Sequence, residues 1–457
     1  MSGRISAPGA PMHRPGTYTY FHNAAYSRGI FSTQGVVAAV LNTSFGEVGG
    51  VTTITDADRI NELIGPNKEA ELSFTGGTQV LHVVRVGEGG KSGTVSVAGV
   101  DLETKYPTNR AFNVTIRDGL APDTKDFILF EGQRTIERFN FGSSGGNVTD
   151  TLISVINHES KYLNAKKKEG GDAPDTQQQV VNEAMSGGEN PTITAGSYAD
   201  AMKALDKVAF LAMHTDSTDM QIHASLQAYV ARRFNEGLRC FAVVGEDLRV
   251  RYAQRRDNAK SFDNFQITYV GNGFLDEEGN NIDGSQAVAY VAAEASSVDY
   301  NVSLTHKRVP NSTGVVSDLT LLQYDEAATS GMLVFAESEE GTAMIDYGIN
   351  TKTTFDEQED IGWNKLRRMR TRYELMDRLV RVSNSLIERG MDTNDDGRAQ
   401  FIAEGNEVIQ EMAGIQTGEV VLSRQYPPQG DKTWYDIINI EDLDSIEKYH
   451  LNFGFSA

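Results

Sequence analysis

The chain reads as a multidomain protein of mixed α/β and α+β class, and three observations carry that reading. At 457 residues it exceeds one average domain, so about three units are expected, each able to bury a core. Residues 195–337 alternate helical patterns with short apolar runs, which implies a parallel sheet flanked by helices. Residues 94–140 instead carry short alternating runs (TVSVAGVDL, AFNVTIRDG, DFILFEG, TIERFNF) separated by turn residues. That pattern implies a small antiparallel β-sandwich or barrel.

Composition narrows the function classes. Hydrophobic residues make up 39% and charged residues 23%, too apolar for a disordered chain. A net charge of −21 argues against nucleic acid as the main partner, which would require a basic face. Cys240 is the one cysteine; it cannot form an internal disulfide, and its place in CFAVV marks a buried thiol suited to a reducing cytoplasm. No apolar segment of the signal-peptide kind follows the early basic residues, and GVVAAVL is too short to span a bilayer.

In chain order, residues 1–26 read as an arm. Pro8, Pro11 and Pro15 exclude helix, while Thr17, Tyr18, Thr19, Tyr20 and Phe21 form a β-prone run with aromatics on both faces. Residues 27–90 read as part of an α/β unit, with a strand at 36–42. A helix capped at 55–58 then runs through Ile60 and Leu63 to Gly65, before a second strand at 80–86. The following GEGGKSG resembles a phosphate loop only superficially. Arg85 stands where that motif needs its first glycine, and a strand pattern follows instead of a helix, so the stretch is a turn. Within 91–190 the β-rich runs lead to a loop at 142–147, a helix at 149–164 and a polar, weakly ordered linker at 165–190.

Residues 191–345 carry the parallel α/β pattern. Helices are expected at 198–205, 220–235, 248–259 and 286–295, strands at 208–213 and 240–244, and a hairpin at 266–283. His214, Asp216 and Ser217 lie together on one loop, and no Gly-x-Ser-x-Gly elbow occurs. Three such neighbours cannot form a catalytic relay, whose base and nucleophile converge from different elements. His214 reads as a surface residue and His223 as a helix-face residue, with no neighbours to complete a zinc set.

The richest stretch is 346–390. An apolar strand end and an acidic patch (Asp356, Glu357, Glu359, Asp360) precede a long amphipathic helix. Leu366, Met369, Tyr373, Met376, Val380 and Ile387 share one stripe, widened by Leu375, Leu379 and Leu386. Lys365, Arg367, Arg368, Arg370 and Arg372 crowd its first turns, where the helix dipole is already positive. Two readings stay open: neutralisation by the acids just upstream, or a docking surface for an acidic partner. Further on, Asp392, Asn394, Asp396 and Gly397 mimic a calcium loop, but the twelfth position is Ala403 instead of Glu, so a capped turn is expected. A helix at 399–413 ends at Gly414, and a strand is expected at 434–440. Tyr449, Leu451, Phe453 and Phe455 then alternate with polar residues.

The turn Asp346-Tyr347-Gly348-Ile349-Asn350-Thr351 before a long basic helix resembles the C-terminal domain of contractile phage tail sheath proteins. PGTYTYF (15–21), GVVAAVL (35–41), GGTQVLHVVRV (76–86) and Gly397-Arg398 before a helix agree in order with that family, whereas 95–190 matches no motif. The resemblance implies an inner α/β domain built from both termini. A β-sandwich and a subtilisin-like α/β domain would be inserted in it, and arms would extend from both ends. The expected divisions are 1–26, 27–90, 91–190, 191–345 and 346–457.

By the same resemblance the chain is a non-enzymatic subunit without cofactor or metal. It assembles as stacked hexameric rings around an inner tail tube, meets a baseplate and a tail terminator at the ends, and contracts to drive the tube through a bacterial envelope. Its place would be a virion tail or tail-like particle assembled in the host cytoplasm, without direct nucleic-acid contact or membrane insertion. Lys365, Arg367, Arg368, Arg370 and Arg372 are the expected tube contacts. Thr17, Tyr18, Thr19, Tyr20 and Phe21, with Tyr449, Leu451, Phe453 and Phe455, are the expected inter-subunit strands. The competing readings are an α/β hydrolase or nucleotide-binding enzyme, using groups such as His82, His158 or Asp216, and another self-assembling coat or secretion-sheath subunit.

Overall fold

A strand buried on both faces needs an unbroken apolar run, and VVAAVL supplies one. Val36–Leu41 is a strand whose last five residues are fully buried. The computed structural model describes residues 4–5, 18–19, 33–142, 148–168, 179–317, 319–357 and 359–453. Two compact units divide the chain, and the division falls within this strand: Met1–Ala38, Leu72–Gln79 and Ala209–Ala457 form one, Ala39–Glu71 and Val80–Val208 the other.

The first unit contains the parallel sheet. Ala212–Thr215, Phe241–Gly245, Ile267–Val270 and Met332–Leu333 lie side by side in that order, each pair parallel. Helices Met220–Asn235 and Tyr252–Phe262 join the first three strands. Asp219 starts the former by accepting a hydrogen bond from the Gln221 amide. The Ala-rich helix Gly284–Ser297 is buried on nearly every side, as an all-round apolar helix must be. Its approach requires bare backbone: a Cβ on Gly245 would lie 2.4 Å from the Gly284 carbonyl oxygen.

One expectation is corrected here. The segment 266–283 is not a single hairpin. Ile267–Val270 is a central parallel strand buried at every position, and only Gly273–Leu275 and Asn281–Ile282 pair antiparallel. The Gly271-Asn272-Gly273 step reads as an ordinary hairpin turn, but it carries the chain out of the sheet.

The remainder of the first unit is a C-terminal lobe. Helices Leu366–Glu388 and Asp395–Glu411 pack with the antiparallel pair Ile415–Leu422 and Tyr435–Asp442. Leu375, Leu379, Ile409, Met412 and Val420 form its core. Asn394 caps the second helix by accepting from the Gly397 amide at 2.9 Å, so the calcium-like residues build a helix start. The stripe of the long helix is narrower than expected: Leu366, Met369, Tyr373, Leu375, Leu379, Val380 and Leu386 are buried, whereas Ile387 is exposed.

In the second unit, Val80–Arg85 pairs antiparallel with Val51–Ile54. Three strands (Thr94–Val97, Val100–Thr104, Leu163–Lys167) and four others (Phe112–Asp118, Thr124–Glu131, Arg134–Gly142, Val180–Ala184) make two antiparallel sheets. Helix Val148–Glu159 and both sheets share one core around Phe112, Phe127, Leu129, Leu152 and Ile156. The expected linker at 165–190 is therefore partly structural. Its strands sit at sheet edges with most side chains outward, so their polar composition conceals them. The glycine turn after Arg85 is no phosphate loop: Glu88 and Lys91 bridge to Thr192 and Glu189, and Arg85 is buried against the Gly46 and Pro107 carbonyls.

Candidate functional site

The turn that carries the family resemblance is a joint between the parallel sheet and the long helix. Asn350 donates through Nδ2 to the Trp363 carbonyl (2.7 Å), while Asn364 donates to the Asn350 and Lys352 carbonyls (2.9 and 2.7 Å). Thr351 links back to Asn264 and to Ile267 of the central strand. Asn350 and Thr351 are fully buried, so each polar group needs these partners. The Leu366 amide reaches the Gly348 carbonyl, fixing where the helix begins.

At that helix start the five cations face inward, engaged by this chain. Arg370 is 1% exposed and donates to the carbonyls of Val298 (3.1 Å), Asp299 (3.1 Å) and Val302. Burial lowers its pKa to about 10, still far above neutrality, so the cation persists. In this chain it is not a surface group. Arg368 and Arg372 both grip Asp442: the former at 3.0 and 2.6 Å, the latter at 2.9 and 3.1 Å. Asp360 meets the same two guanidinium groups at 2.7 Å each, and Arg372 lies 4.5 Å over the Trp363 ring. Lys365 pairs with Glu447, approaches Asp444 at 3.7 Å and sits 4.0 Å from the Tyr347 ring centroid. Arg367 donates to the Asn301 carbonyl and to Ser445 Oγ.

Neutralisation thus comes only in part from upstream, through Asp360. Most comes from Asp442 at the end of the last strand and from Asp444 and Glu447 just beyond it, which no local pattern connects to this helix. Burial alone would raise the Asp442 pKa, but the bonds from Arg368 and Arg372 outweigh it and hold the carboxyl below its usual value. Further along the helix Asp377 bonds Arg239, and Glu374 takes Arg378 (2.7 Å) and Arg381 (3.1 Å).

Beyond Glu447 the environment inverts. Tyr449, Leu451 and Phe453 are 73%, 71% and 77% exposed, and residues 448–453 carry no strand or helix. Phe455 lies outside the described residues. At the other terminus Tyr18–Thr19 pairs in parallel with Arg4–Ile5, while Thr17, Tyr20 and Phe21 lie outside the described residues.

His214 is not a surface residue: it lies on the buried strand Ala212–Thr215, 3.1 Å from Ser73 Oγ, and burial drives its pKa down to about 3. His223, also fully buried, contacts the Ser217 carbonyl at 2.6 Å. His82 bonds Thr53 on the neighbouring strand, and His158 lies in the last turn of Val148–Glu159. Cys240 is buried, which pushes its thiol up to about 11 and keeps it protonated. At the carboxyl ends of the parallel strands, where α/β enzymes place ligands, Glu246 accepts from Asn258 (2.7 Å) and the Tyr269 hydroxyl. Arg255 donates to the Gly271 carbonyl beside them. Glu246 and Tyr269 satisfy each other, whereas the buried Arg255 Nε has no hydrogen-bond partner among the described residues.

Comparison with known proteins bears on the fold. Residues 192–351 match the model of the phage tail sheath protein central domain. Phage-like element PBSX protein XkdK of Bacillus subtilis (strain 168) is 21% identical over 479 aligned residues, covering 99% of each chain. A sheath tail protein from Desulfitobacterium hafniense superposes with a TM-score of 0.72 at 18% identity, covering 92% of this chain and 100% of that one. The helical sheath of the anti-feeding prophage in its contracted state gives 0.52 at 10% identity, covering 98% and 99%. The chain thus resembles contractile tail sheath proteins along nearly its whole length, with the family's central domain at residues 192–351.

Proposed function

We propose that this chain is the structural, non-catalytic subunit of a contractile sheath, stacking as hexameric rings around an inner tube. Contraction would be a rigid-body change between interface states that drives the tube through a bacterial envelope. The observation that carries the reading is the exposed run Tyr449, Leu451, Phe453 just past an anchored Glu447. Each side chain would gain roughly 1.5–3 kcal/mol from full burial, too much apolar surface for a subunit that stays alone. Adding such a run to a neighbour's sheet edge uses backbone bonds for affinity and alternate side chains for specificity. The run Thr17 to Phe21 is the proposed second contributor, and a baseplate and terminator close the ends of the assembly.

Contact with an acidic tube through Lys365, Arg367, Arg368 and Arg372 belongs to the same proposal. It requires the tube's acids to displace Asp442, Asp444 and Glu447, which now hold Lys365, Arg368 and Arg372, and Ser445, which Arg367 bonds. Electron microscopy of the purified subunit with and without tubes tests the proposal. Rings or sheathed tubes support it, and dispersed particles under all conditions contradict it.

A further inference from the structure

The five-cation helix start and the acidic segment Asp442–Glu447 form a binding site and its occupant within one chain. We propose that this site is an electrostatic latch that fixes where the chain's end leaves the body and opens when ions compete for its charges. The inference rests on reading the residues past Glu447 as an inter-subunit arm.

Three features argue for a latch over ordinary packing. Asp442 belongs to the strand ladder and the Leu443 amide bonds the Gly414 carbonyl (2.8 Å), but beyond them the segment is held by side-chain charge: Ser445 by Arg367, and Glu447 by Lys365, Ser303 (3.2 Å) and Thr305 (2.8 Å). Its apolar residues contribute little, since Leu443 is exposed and Ile446 is more exposed still. Hydrophobic burial, the usual anchor of a terminal segment, is therefore minor here. Finally, the hold ends abruptly: Glu447 is mostly buried, and from Lys448 through Phe453 every side chain is exposed. Glu447 is the pivot.

Placement at a helix N-terminus sets the energetics. Lys365, Arg367, Arg368, Arg370 and Arg372 stand at the positive end of a 23-residue helix, where unpaired cations are unfavourable. The acidic segment relieves that repulsion, so helix start and segment stabilise each other. Opening the latch returns Lys365, Arg367 and the Asp444 and Glu447 carboxylates to water, where mobile ions screen them, so salt favours the open form; Asp442 stays in its strand, and Asp360 still holds Arg368 and Arg372. Arg370, bonded to backbone carbonyls on its own side, stays in place.

Hydrogen exchange on the full-length subunit tests this. The bonded amides of the segment, Leu443 (to the Gly414 carbonyl, 2.8 Å) and Ser445 (to Asp444 Oδ1, 2.8 Å), should exchange at least about tenfold faster at 1 M than at 50 mM NaCl, since charged hydrogen bonds support roughly that ratio. The amides of Asp395–Glu411 should not change, which excludes global unfolding. Glu447→Gln should give the same acceleration at low salt, and Lys365→Met serves as the reciprocal variant. Salt-indifferent exchange at Leu443 and Ser445, or acceleration only together with the neighbouring helix, overturns the latch. Ring formation, seen by microscopy, bears on the arm alone, so the two readings fail separately.

Discussion

The start of the long helix and the run after Glu447 reverse the usual distribution of charge and apolar surface. In the first region guanidinium and ammonium groups are buried and bonded; Arg370 is among the largest fully buried side chains. In the second, Tyr449, Leu451 and Phe453 lie open. Buried charge costs several kcal/mol unless partnered, and exposed aromatic surface forgoes the main driving force of folding. The difference teaches where each region finds its partners. The helix start finds them within the chain, and on the proposal made here the exposed run finds them on a neighbouring subunit.

The largest effect that could break this comparison is loss of the buried cation. Arg370→Ala removes the donor shared by the Val298, Asp299 and Val302 carbonyls, and should lower stability by about 3–5 kcal/mol in denaturant unfolding. A change under 1 kcal/mol would mean that the site relaxes and the buried charge is dispensable.

Asp442 comes next. Its carboxyl is held below the ordinary value, so it contributes stability above the unfolded-state pKa and loses it as pH falls through the folded value. Asp442→Asn should therefore cost about 1.5–3 kcal/mol at pH 7, and the deficit should shrink toward zero as the pH falls below 4. A deficit independent of pH would assign the loss to packing.

The exposed run predicts the opposite behaviour. Replacing Tyr449, Leu451 and Phe453 with serine should leave the subunit's stability within about 0.5 kcal/mol, because the isolated chain buries none of them. Smallest of all is the response to calcium. Asn394 Oδ1 already accepts from the Gly397 amide and Ala403 replaces the closing ligand, so millimolar Ca²⁺ should not shift the thermal midpoint. A shift of several degrees abolished by Asp392→Ala would restore a metal site.

Elements with strong local period and caps were legible in the sequence. The strand at Val36–Leu41 and the helix Met220–Asn235 fall where their patterns place them. The long helix and the Asp346–Thr351 turn were also legible, although not the turn's bonds to Asn264 and Ile267. What stayed hidden was pairing across long separations. Asp442 lies far down the chain from Arg368 and Arg372, and no periodicity links them. His214 was misread for the same reason: its partner Ser73 sits on helix Lys68–Thr75, whose weak amphipathic pattern leaves it unmarked. The strand at 163–167 was obscured because Asn164, Lys166 and Lys167 point outward.

The central claim is that the chain folds without its last residues and assembles with them. Removing Ile446 to Ala457 and imaging both proteins by negative-stain electron microscopy tests it most directly. The full chain should form rings or tubes, while the truncated chain should remain a cooperatively folding, soluble monomer that forms neither. A truncated chain that still polymerises, or one that fails to fold, would contradict the account.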